Sequence, residues 1–126
     1  MKLFNHVQIK VTNLMVSKQF YDAIMKILGY KVVLEIDDTV IGYGTSVHDM
    51  FEIRQATSET LLSQFIHIAF NAFSMKAVNE FYQLAIRLGA KCNGALGFRR
   101  QYEEGYYAAF VIDPDGHNIE VVYKEK

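Results

Sequence analysis

The sequence predicts an α+β fold built from two copies of one module, each opening on a strand followed by a helix. Three observations predict it. The chain repeats itself: shifted by 61 positions, His6 lands on His67, Phe20 on Phe81 and Tyr21 on Tyr82. Within each copy, apolar residues recur first at every second position and then at helical spacing. The chain has 126 residues and is 51% hydrophobic, which suits a single domain of residues 1–126 with modules at about 1–56 and 65–126.

The first strand is read in residues 3–11, LFNHVQIKV. Val7, Ile9 and Val11 share one face, and His6, Gln8 and Lys10 the other. Asn13 is an N-cap residue type, and Phe20, Ile24, Ile27 and Leu28 form a stripe at helical spacing. Gly29 suits the left-handed residue that ends a helix. KVVLEI, TVIGYG and DMFEIRQ then read as strands. Residues 55–64, QATSETLLSQ, are the connector.

The second copy opens with IHIAF, where His67 lies opposite Ile66, Ile68 and Phe70 in strand register. Ser74 caps a helix whose stripe is Ala77, Val78, Phe81, Ala85 and Leu88, with Gly89 beyond its end. YYAAFVI and HNIEVVY flank the turn DPDG. Residues 92–105, CNGALGFRRQYEEG, form the longest irregular stretch, and long loops of this kind often carry function.

Composition excludes several classes. A net charge of −1 supplies no basic field for nucleic acid. The N-terminus is apolar only at alternate positions, so neither a signal peptide nor a membrane span is expected there. Cys92, the one cysteine, rules out a disulfide framework and fits a reducing, cytoplasmic setting.

Each copy supplies one His and then one Glu: His6 and Glu52 in the first, His67 and Glu120 in the second. A lone His or Glu in a strand is usually structural or solvated. Four at repeat-equivalent positions instead point to a divalent-metal site of two imidazoles and two carboxylates. The pairing is visible in the sequence, and the convergence is not. His48 in a turn and His117 after DPDG have no such partners and are read as surface residues.

The stretches HVQIKVTNLMVSKQFYDAIMKILGY, IHIAF and AAFVIDPDGHNIEVV resemble the vicinal oxygen chelate superfamily over the whole chain. That superfamily includes glyoxalase I, fosfomycin-resistance proteins, methylmalonyl-CoA epimerase, extradiol dioxygenases and bleomycin-binding proteins. The resemblance implies two βαβββ modules whose strands form an open, curved mixed sheet. It places His6, Glu52, His67 and Glu120 at the metal positions, which glyoxalase I fills in this same order. It implies a divalent cation (Zn, Ni, Fe, Mn or Co), a small-molecule substrate, no nucleic-acid or membrane partner, and a homodimer.

The activity implied is that of a lyase or isomerase, with Glu52 or Glu120 moving a proton next to a carbonyl. Lys10 stands where glyoxalase I has an arginine, so it keeps the charge without the bidentate fork, and glutathione use is open. Lys10, Arg99, Arg100, Tyr102 and Tyr107 are the expected substrate residues, although the turn's register decides which of Tyr106 and Tyr107 faces the site. The 92–105 loop is expected to act as a lid. The alternatives are an extradiol-type dioxygenase using His6, His67 and Glu120, an epoxide-opening resistance transferase, and a metal-free drug-binding protein.

Overall fold

The computed structural model describes residues 3–125. The chain divides into two compact units, residues 1–64 and 65–126. Each holds one helix and one four-stranded mixed sheet.

The first unit runs β1 (His6–Val11), α1 (Leu14–Leu28), β2 (Lys31–Ile36), β3 (Val40–Ser46) and β4 (Asp49–Gln55). Its sheet order is β1-β4-β3-β2, with β1 parallel to β4 and the other pairs antiparallel. The helix begins where the Asn13 side chain accepts the N–H groups of Met15 and Val16. Gln55 holds the same corner from the end of β4, accepting from Leu14 N at 2.9 Å and donating to Thr12 O at 2.8 Å. Gly29, at φ 85°, ends the helix in the left-handed region.

The helical stripe presents Tyr21, which packs its ring 5.1 Å from that of Phe51. Ile9 and Ile53 are paired in register and wholly buried, as the two-residue period of their strands requires. Tyr43 adds a polar tie, donating to Asp22 Oδ1 at 2.7 Å while Lys18 donates to Oδ2 at 2.6 Å. His6, Gln8, Lys10 and Glu52 are left on the sheet face turned away from the helix.

The second unit repeats the plan: β5 (His67–Asn71), α2 (Met75–Arg87), β6 (Lys91–Phe98), β7 (Tyr106–Ile112) and β8 (Asn118–Lys124), in the order β5-β8-β7-β6. Ser74 accepts from Ala77 N to cap α2. Val78, Phe81 and Ala85 on the helix, and Ala109, Val111, Ile119 and Val121 on the sheet, are all fully buried.

Two expectations change here. The stretch 92–105 is not one irregular loop. Its first part is the strand β6, and only residues 99–105 turn. Register shifts between Cys92 and Gly94 and between Gly94 and Gly97 break the alternation that would have marked a strand. The turn closes with Arg99 N donating to Tyr106 O at 2.7 Å.

His117 is not a surface residue: it is 0% exposed. Asp113 Oδ1 accepts the N–H groups of Asp115 and His117, both at 2.9 Å, which curls the turn inward. The His117 ring then accepts Ile66 N–H at Nδ1, 3.3 Å away, and ties the start of β5 to the start of β8. His48 is exposed, as expected.

Gly105 is where the turn requires glycine. Its φ is 80°, and a Cβ there would lie 2.8 Å from Glu125 O. Gly105→Ala should therefore cost about 1–2 kcal/mol of stability, read as a lower urea midpoint. An unchanged midpoint would show that the turn adapts without strain.

Candidate functional site

In the second unit, parallel pairing of β5 with β8 sets His67 opposite Asn118 and Ala69 opposite Glu120. Ala69 is too short to cover Glu120. The His67 ring reaches across instead, and its Nε2 lies 2.9 Å from Glu120 Oε1. A carboxylate only accepts, so this nitrogen carries the proton in the pair. The other carboxylate oxygen, Oε2, accepts from the Tyr106 hydroxyl. Glu120 is 3% exposed, and a buried carboxylate is kept only when it is bonded in this way. Burial first, and then the bond to Glu120, push the Tyr106 phenol above its ordinary range. It stays protonated and remains a donor.

Ala108, Phe110 and Val122 form a buried apolar cluster on this face, with Tyr106 packed against it. The His67 ring lies 6.1 Å from the Phe110 ring, and the Arg99 guanidinium stands 5.3 Å over that same ring. Arg99 is held in place by its donations to Gly97 O at 2.8 Å and Ala95 O at 2.6 Å. Tyr102 packs edge-on to Tyr106 at 5.3 Å.

The first unit is arranged differently. Gln8, not His6, stands opposite Glu52 in the β1–β4 register. Its Nε2 donates to Glu52 Oε1 at 2.7 Å. Lys10 Nζ donates to Gln8 Oε1 at 2.8 Å. The exposed His6 ring pairs through Nδ1 with Asn5 Oδ1 at 2.8 Å.

The second unit's pair fits a divalent cation as two adjacent ligands. Bonds of about 2.1 Å meeting at right angles end about 3 Å apart, close to the spacing of His67 and Glu120. The first unit's pair does not fit in this arrangement, because Glu52 is taken by an amide and His6 is turned to Asn5. Among the described residues no three His, Cys, Asp or Glu side chains are gathered as a metal group.

The expected substrate residues divide. Arg99 and Tyr102 lie beside the His67–Glu120 face. Lys10 is bonded to Gln8. Arg100 lines a separate cavity of about 670 Å³ with Phe98, Glu104, Gly105, Lys124 and Glu125. Tyr107 does not face the site: it points to the helix side, where its hydroxyl donates to Asn79 Oδ1 at 2.6 Å.

Tyr106 takes the place expected of Tyr107, because β7 pairs with β8 so that Phe110 opposes Glu120 and Tyr106 shares the parity of Phe110. Counting outward from DPDG with Asp113 opposite His117 would have found this. Phe110 and Gln8 were also missed, and for Gln8 the signal was its place opposite a buried carboxylate.

Solved structures share this architecture. A glyoxalase/bleomycin resistance protein from Albidiferax ferrireducens matches with a TM-score of 0.81 at 27% identity, covering 98% of this chain and 100% of that one. A putative glyoxalase from Bacillus halodurans matches at 0.75 and 21% identity, covering 98% and 96%. A lactoylglutathione lyase from Agrobacterium tumefaciens matches at 0.67 and 16% identity, covering 98% and 94%, which speaks for the fold alone. No curated protein sequence matches the chain. The model of the Glyoxalase/Bleomycin resistance protein/Dioxygenase superfamily matches residues 3–121, and the chain belongs to that superfamily.

Proposed function

We propose that the protein is a glyoxalase-like metalloenzyme, a lyase or isomerase that moves a proton on a small substrate bearing adjacent oxygens, and that it works as a homodimer. One observation carries the reading: a buried carboxylate, Glu120, held between an imidazole and a protonated phenol on an apolar sheet face. A divalent cation would be held by His67 and Glu120 and would supply positive charge that acidifies the C–H beside a carbonyl.

The chain's own side chains do the rest. Glu120 is the proton acceptor, through Oε1 once that oxygen is released from the His67 ring, since Oε2 is held by Tyr106. Tyr106 keeps the carboxylate from rotating. Ala108, Phe110 and Val122 keep water from the carbon that has lost its proton. Arg99 spends two of its five N–H groups on backbone carbonyls and offers the others to an anionic substrate group. The exposed Leu3, Phe4, Leu61 and Phe65 side chains support pairing with a second copy.

The Gln8–Glu52 bond favours a second reading, a metal-free small-molecule-binding protein. Calorimetric titration with Zn²⁺, Ni²⁺ or Mn²⁺ separates the two. A metalloenzyme binds one of them, and His67→Ala weakens that binding at least about tenfold. Binding that is indifferent to His67→Ala defeats the assignment. Screening the loaded protein against 2-oxoaldehyde adducts, epoxides and catechols then distinguishes the lyase or isomerase from the transferase and the dioxygenase.

A further inference from the structure

Among the positions where the two copies of the repeat differ are Gln8 and Ala69. Both lie directly opposite the carboxylate of their unit, Gln8 against Glu52 and Ala69 against Glu120, on strands paired in parallel. Over Ala69 there is room for the neighbouring imidazole, and His67 uses it to meet Glu120 at 2.9 Å. Over Glu52 the Gln8 amide fills that place at 2.7 Å, and His6 turns to Asn5 instead.

The orientation of the amide is not arbitrary. An ammonium only donates, so the Lys10 Nζ contact at 2.8 Å identifies the facing atom as Gln8 Oε1 and leaves the NH2 toward Glu52. Glu52 is 6% exposed and lies next to Gly42, where even a Cβ would come within 2.5 Å of Met50 Sδ. Buried in this way, the carboxylate keeps a partner for its charge in the Gln8 amide.

We propose that Gln8 withholds the His6/Glu52 pair from a divalent cation: oriented by Lys10, it competes for Glu52 and makes the two units unequal, with His67/Glu120 as the primary cation site. The inference rests on the metal-binding reading above. It makes Gln8 a positioning residue that sets how tightly and through which donors a cation is held. If Gln8 served only to satisfy a buried carboxylate, replacing it would alter stability and leave cation affinity alone.

The test is Ni²⁺ titration by calorimetry, with thermal unfolding of every variant to report the fold. Gln8→Ala, which copies position 69, should let the first unit's His6/Glu52 pair bind Ni²⁺ about tenfold or more tightly, the scale of a hydrogen bond to a charged group. Gln8→Met should do the same and serves if Gln8→Ala fails to fold. Glu52→Gln alone should leave the affinity within about twofold, and in combination with Gln8→Ala it should cancel the gain.

Unchanged affinity in both Gln8 variants, with His67→Ala still weakening binding, overturns the role of Gln8 and leaves the metal reading standing. A loss in Glu52→Gln equal to that in His67→Ala also overturns it, since Glu52 would then already be a ligand beside Gln8. No binding by any of these proteins overturns both readings.

Discussion

Glutamine in place of Glu120 should lower turnover by about two to four orders of magnitude, the usual contribution of a positioned acid or base. The substitution keeps the shape of the side chain. The Tyr106 hydroxyl still finds a carbonyl oxygen, and the imidazole facing the new amide accepts at Nε2 in its other tautomer. The fold is therefore kept while the proton acceptor is lost. Steady-state rates on the substrate found by screening, taken beside the thermal midpoint, check this. A rate within a few fold of wild type at an unchanged midpoint would remove Glu120 from the chemistry. A rate that falls together with the midpoint would assign it to stability.

Phe81→Ala should produce the largest loss of stability. Phe81 is 0% exposed and sits at the centre of the α2 stripe, among Val78, Ala85 and the inner face of the second sheet. Removing a buried ring costs about 3–5 kcal/mol through lost transfer energy and the cavity left behind. That is a large part of the roughly 5–15 kcal/mol a domain possesses. Urea unfolding should show the midpoint falling with little change in slope. Leu88→Ala serves as the control: the same apolar stripe includes Leu88, but it is 47% exposed, and its loss should stay within about 0.5 kcal/mol. If the two variants behaved alike, the burial assigned to α2 would be wrong.

Much of this architecture was legible before any coordinate. Asn13 and Ser74 read as caps, Gly29 as a helix end, and the alternation around His6, His67, Glu52 and Glu120 as strands with a polar face. These are local properties. A cap bonds two or three residues ahead, a strand alternates every two residues, and a helix repeats every three or four, so a short window of sequence carries each of them. The repeat then assigned the two halves the same plan.

What stayed hidden depended on neighbours far apart in the chain. Gln8 meets Glu52 across 44 residues, and Tyr106 rather than Tyr107 meets Glu120 because of where the hairpin register falls. The ring of His117 is buried because Asp113 curls its turn inward and Ile66 N–H awaits it from the residue before β5. The bulges of β6 erased the period that marks a strand. Each outcome is a choice among partners for a polar group or a register, made by the packing of strands that local pattern does not relate to one another. The sequence could thus name two His/Glu pairs, while the pairing of β1 with β4 and of β5 with β8 determined that one is joined and the other is parted by an amide.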